Sequence, residues 1–156
     1  MITQDAKPGY GWQLARGETS LTESWDANLT SSHNHFMFGQ VIEWFYRDLA
    51  GIDVDPAGPG FRKIIIRPNP VGDLKWVEAS YESLQGLIAV RWDREGEKLV
   101  LRVTIPANTT ATVFVPAKQG SEVKTAGQAT SAGREADRAV FTIGSGTYSF
   151  ESTWGA

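Results

Sequence analysis

The stretch 76–106, WVEASYESLQGLIAVRWDREGEKLVLRVTIP, decides the fold. Apolar residues alternate with polar ones along it, the period of a strand that turns one face inward. Leu84-Gln85-Gly86 and Arg94-Glu95-Gly96 interrupt the alternation with turn-forming residues. The segment therefore reads as three antiparallel strands joined by two tight connections. Similar short runs flank it: RKIIIRP at 62–68 upstream, then ATVFVP at 111–116, AVFTIG at 139–144 and TYSFEST at 147–153. The polar QATSAGREADR at 128–138 reads as a loop. About seven short strands, evenly spaced and separated by turn signals, predict a two-layer antiparallel β-sandwich over residues 61–155.

Upstream the period changes. Phe38, Val41, Ile42, Phe45 and Leu49 recur at the spacing of one helix face, and Phe36, Met37, Trp44 and Tyr46 make the other faces apolar too. Ser31 and Ser32 are suitable N-caps and Gly51 a suitable stop, so the pattern predicts a helix from about Ser32 to Ala50. The Pro/Gly-punctuated DVDPAGPG at 53–60 ends it. The expected organisation is a helical segment over 1–52 and a sandwich domain over 53–156. A helix apolar nearly all round is normally buried on most sides. One such helix cannot form a bundle alone, so it is expected to pack on the sandwich or on a second copy, making a homo-oligomer. The chain reads as a fragment of a larger core.

Composition excludes several classes. Net charge is −3 without any run of Lys or Arg, which argues against nucleic acid and anionic membrane surfaces as partners. The longest apolar segment is too short and too charged to span a bilayer. MITQDAKPGYGW at 1–12 lacks a basic region followed by an apolar one, so it does not read as a signal peptide. With zero cysteines, disulfides and thiolate metal sites are not available. The compartment stays open between periplasmic, secreted and cytoplasmic. Six tryptophans, four tyrosines and seven phenylalanines are compatible with sugar binding as well as with core packing.

One polar stretch, RGETSLTESWDANLTSSHNHF at 16–36, gathers Glu18, Glu23, Trp25, Asp26, His33 and His35. Glu23 lies on irregular backbone shortly before the predicted helix, a place where a fold can hold water against a carboxylate for general-base work. Beside Trp25 it also suits a sugar pocket. By residue type and spacing alone, a solvated loop position or a helix-capping role remains open for it, and Glu18 suggests only a turn. His33-Asn34-His35 gives no metal site, because residues two apart on a helix do not face each other. No metal and no cofactor is expected. The sequons Asn28-Leu29-Thr30 and Asn108-Thr109-Thr110 are short enough to arise by chance.

Taken in order, GETSLTESWDANLTSSHNHFMFGQVIEWFYRDLAGI, PGFRKIIIRPNPVGDLKWVEASYESLQGLIAVRW and LRVTIPANTTATVFVP resemble the C-terminal end of bacterial α-L-rhamnosidases of glycoside hydrolase family 78. The resemblance covers about residues 8–116. It implies that 1–52 are the terminal segment and last helix of an (α/α)6 catalytic barrel and that 53–156 are the closing β-sandwich. It further implies that Glu23 is the general base activating water in an inverting glycosidase, with Trp25 the neighbouring aromatic and His35 a contact to rhamnose. Thr22 departs from the pattern, where many members carry a second tryptophan, and so does His33, where Leu or Gln is usual. An inverting mechanism needs a second carboxyl roughly 6.5–9.5 Å away. In the family that general acid lies several helices upstream, so the chain alone is expected to be inactive. Its substrate in the intact enzyme would be a rhamnose-containing glycan or glycoside. Two other readings stand beside this one: a carbohydrate-binding or structural sandwich module, and a fragment of another (α/α)6-barrel glycosidase. A surface row drawn from Trp76, Tyr81 and Trp92 would favour binding, and their burial a structural cap.

Overall fold

A computed structural model describes residues 2–155. The chain divides into two compact units that meet between Ile42 and Glu43. The first carries one short helix, α1 (Tyr10–Ala15), and then irregular backbone up to His35. Helical turns run from Phe36 to Ala50 in three successive geometries: 3₁₀ over Phe36–Gln40, α over Val41–Trp44 and π over Phe45–Ala50.

The predicted helix stops where expected but starts later. Gly51 adopts the left-handed φ of 81°, and a Cβ there would stand 2.2 Å from the Arg67 carbonyl carbon and the Pro68 nitrogen, so glycine is required twice over. At the other end neither Ser31 nor Ser32 caps the helix. Ser32 instead accepts the Glu23 N–H at 3.0 Å, and the His35 N–H donates to the Leu21 carbonyl at 2.9 Å. Those two bonds tie 32–35 to 21–23 and hold His35 extended, so helical turns begin only at Phe36.

The second unit is a sandwich of two five-stranded sheets. One has the order β1 (Ile52–Val54), β2 (Lys63–Ile66), β6 (Thr110–Pro116), β9 (Arg138–Ile143), β8 (Thr130–Glu135). The other has the order β3 (Trp76–Ser83), β4 (Gly86–Glu95), β5 (Lys98–Ile105), β10 (Gly146–Thr153), β7 (Lys124–Ala126). The meander read from 76–106 is present as β3–β4–β5, in register from Trp76 opposite Asp93 through Asp93 opposite Val100. Among the described residues ten strands replace the about seven expected. Residues 128–138, expected to be a loop, carry β8, whose six residues are all exposed and so give no alternation. Pairing is antiparallel apart from β2 and β6, which run parallel with Lys63 opposite Thr110.

Inward-facing residues of both sheets share one core: Ile64 and Ile66, Ile88, Val90 and Trp92, Leu99, Leu101 and Val103, Val113 and Val115, Phe141 and Phe150. Each large apolar side chain buried there contributes about 1.5–3 kcal/mol. Leu49 joins this core, and Trp92 donates its indole N–H to the Leu49 carbonyl at 2.9 Å. On the outer face of the first sheet, the Arg67 guanidinium lies 3.6 Å from the centroid of the Phe114 ring and pairs with Glu135. No described helix is long and apolar enough to cross a membrane.

Candidate functional site

The polar stretch before the helix is organised from α1. Gln13, on that helix and buried, donates its side-chain amide to the Thr22 hydroxyl at 2.7 Å. Thr22 is itself buried and donates to the Ser24 carbonyl at 2.8 Å. The residues on both sides of Glu23 are thus fixed by a relay through the buried Thr22 hydroxyl. The Glu23 side chain is exposed, while its backbone N–H is held by Ser32. Two backbone bonds, Glu23 to Ser32 and His35 to Leu21, bring the Glu23 and His35 segments side by side.

Trp25 is half-buried in an aromatic cluster. Its ring stacks on Phe38 at 4.1 Å and 20° and receives the edge of Tyr10 at 5.5 Å and 88°. Trp12 donates its indole N–H to the Trp25 carbonyl at 3.1 Å, and the Tyr10 hydroxyl donates to the Phe38 carbonyl. Phe38 therefore occupies one face of the Trp25 ring. A pocket of about 310 Å³ opens nearby, lined by Tyr10, Gln13, Glu18 and Leu21 among others; Glu23, Trp25 and His35 do not line it. Sequence reasoning missed α1 with Tyr10, Trp12 and Gln13. Its six residues are too few for helical periodicity to register.

Glu18, read as a turn residue, has a partner. One ring nitrogen of His33 lies 2.9 Å from the Glu18 carboxylate and the other 2.9 Å from the Asn28 carbonyl. Both partners are acceptors, so only the doubly protonated imidazolium donates to both. The Asn28 carbonyl, then the Glu18 carboxylate, raise the His33 pKa, and the charge of Glu23 adds to the shift. A folded-state pKa above the unfolded value of 6.5 means a contribution present in full below pH 6.5 and lost as pH rises through the raised value. The protection of the 18–33 amides, taken relative to their intrinsic exchange rate at each pH, is expected to be greatest below pH 6.5 and to fall as pH rises through the raised value. His33→Gln should flatten that dependence; an unchanged profile would show that the imidazole does not fasten the loop. Among the described residues, no three His, Asp or Glu side chains converge as a metal-ligand set.

The three sandwich aromatics separate. Trp92 is fully buried, Tyr81 leans on Phe61 with centroids 5.0 Å apart, and Trp76 is 57% exposed. They do not form a surface row: Trp76 stands on the outer face of its sheet, opposite in direction to Tyr81 and Trp92.

Residues 51–130 match the family described as bacterial alpha-L-rhamnosidase C-terminal domain, and residues 1–49 the bacterial alpha-L-rhamnosidase 6 hairpin glycosidase domain. An alpha-L-rhamnosidase of Streptomyces avermitilis is 33% identical over 96% of the chain, and one from an Alteromonas species 29% identical over 97%. The chain spans only 15% and 17% of their respective lengths. The crystal structure of the Streptomyces enzyme complexed with L-rhamnose superposes with a TM-score of 0.84 at 32% identity, covering 96% of this chain and 15% of that one. An alpha-L-rhamnosidase structure from Dictyoglumus thermophilum gives 0.85 at 32% identity, covering 97% and 18%.

Proposed function

Because the chain belongs to the bacterial α-L-rhamnosidase family, we propose that it is the C-terminal part of an inverting α-L-rhamnosidase. Residues 1–52 complete the helical catalytic barrel in this reading, and 53–156 form the sandwich that closes the enzyme. Glu23 is the general base that takes a proton from the attacking water, and His35 contacts the rhamnosyl ring of a glycan or glycoside. Trp25 builds the wall beside them. The observation that carries this is the pair of backbone bonds, Glu23 to Ser32 and His35 to Leu21, which aligns the two segments. The exposed side chain of Glu23 suits a base that must meet water and sugar.

The general acid would come from helices upstream, and the apolar residues left uncovered here would face them. Phe36 is 85% exposed, Met37 55% and Ile42 58%. Apolar side chains on one helical stretch at this exposure suit a face built to be covered. Without those helices the same face is where a second copy of the chain would pair.

The test is a transplant. Residues 1–156, joined to the upstream region of the Streptomyces avermitilis enzyme in place of its own C-terminal part, should release nitrophenol from 4-nitrophenyl α-L-rhamnoside. The chain alone should release none. Hydrolysis by the isolated chain, or a folded transplant without activity, would each overturn the reading.

A further inference from the structure

The register of the second sheet sets three rungs across its outer face. Trp76, Asp93, Val100 and Glu151 form the first, Glu78, Arg91, Arg102 and Ser149 the second, and Ser80, Ala89, Thr104 and Thr147 the third. Successive rungs lie about 7 Å apart along the strands. The third consists of small side chains, so the sheet is hollow there: a depression of about 480 Å³ opens over it, with Tyr46 in its wall. A second hollow, of about 990 Å³, lies at the first rung, bordered by Trp76 and the turn between β4 and β5. The middle rung and Asp93 stand between the two.

The charges on this divide are fixed and balanced. Arg91 holds Glu78 at 2.7 Å and spans Asp93 with bonds of 3.0 and 2.7 Å. Arg102 reaches the same carboxylate at 2.6 Å. Hydrogen bonds from Arg91 first, then Arg102, hold the Asp93 carboxyl below its ordinary range, so it stays ionised. Two guanidiniums and two carboxylates cancel on the divide, and in the second hollow Asp73, Glu95 and Glu97 stand against Lys75, Arg94 and Lys98, so neither sign of ligand charge is favoured. What remains is a rigid array of donors and acceptors in which each guanidinium already holds a carboxylate. Bidentate groups of this kind match the adjacent hydroxyls of a sugar ring.

Trp76 supplies the apolar half of such a site. It projects from edge strand β3, 57% exposed, with the Arg91 guanidinium 5.2 Å from its ring centroid. With Arg91 over one face of the ring, the exposed remainder of the indole beside the hollow is what would meet the C–H face of a pyranose. The opposite sheet gives the contrast, because there Phe114, under the Arg67 guanidinium, is only 9% exposed.

We propose that the outer face of the β3–β4–β5–β10 sheet binds a neutral oligosaccharide, with Trp76 as the stacking platform and the Glu78–Arg91–Asp93–Arg102 array as its polar floor. This site lies wholly within the second unit and does not depend on the role of Glu23. Its occupant is a chain of sugars rather than one ring, because two hollows follow each other along the strands on either side of the floor.

The test is a titration of the ¹⁵N-labelled chain with neutral hexasaccharides (xylo-, manno- and rhamno-oligomers) and with hexagalacturonate. At least one neutral hexasaccharide should move the Trp76 indole cross-peak, with a Kd on the order of 0.1–1 mM. Trp76→Ala should weaken that binding at least ~10-fold while leaving a dispersed spectrum, as expected for loss of an anchoring aromatic. Ala89→Gln fills the hollow without touching Trp76 and should weaken binding in the same direction. The proposal fails if no neutral hexasaccharide shifts the peak at about 10 mM. It fails also if hexagalacturonate is preferred, or if either folded variant binds as well as the parent.

Discussion

Glu23→Gln in the transplanted enzyme is expected to lower turnover of an aryl α-L-rhamnoside by at least ~10²-fold, the low end for removal of a general base. The amide keeps the size of the side chain and removes the basic oxygen, so water meets the anomeric carbon without losing its proton. The side chain is exposed and its backbone bond to Ser32 is untouched, so thermal stability should hold within about 0.5 kcal/mol, as for ordinary surface changes. Azide separates chemistry from placement. It attacks without needing a base, and it should restore turnover to Glu23→Gln but not to a variant damaged in folding. A variant with full activity would remove Glu23 from the site.

Trp92→Ala should produce the largest loss of stability, about 3–5 kcal/mol, the usual range for deleting a large buried aromatic. Trp92 is fully buried between the sheets, with Val77 opposite it on β3 and Leu101 on β5. Its indole N–H is also the bond that reaches the Leu49 carbonyl near the end of the helical run. Trp92→Phe isolates the second contribution. It keeps most of the volume but leaves that carbonyl without its donor, so a cost of about 1–3 kcal/mol is expected. Urea midpoints for the two variants measure both. Equal, small shifts would mean that the core closes around the gap and that Leu49 finds another donor.

What the sequence made legible follows from where side chains point. β4 and β5 announce themselves because Ile88, Val90 and Trp92, then Leu99, Leu101 and Val103, alternate with solvent-facing partners. β8 and β7 have every residue exposed, so no alternation marks them. β1 is three residues long and sits where a Pro/Gly connection begins. The parallel run of β2 against β6 leaves no trace in periodicity, since strand direction does not alter which residues face inward. In the candidate site, Glu23 stood out through its neighbours in the chain. The Glu18–His33 and Gln13–Thr22 contacts did not, because each joins residues that only the folded backbone brings together.

The parallel pairing of β2 with β6 joins segments that are made far apart in time. Before β6 exists, the chain leaves the first sheet, builds β3, β4 and β5 in the other, and returns. The meander closes by local turns, whereas Lys63 must wait for Thr110, and such distant pairing is slow. On a ribosome the meander can therefore form while Ile64 and Ile66 still present an unpaired edge. A nascent chain halted before residue 110 would carry that isoleucine edge open, a template for joining other chains. The interval between β2 and β6 is thus one in which the growing sandwich exposes an edge able to aggregate, as β5 does until β10 is made.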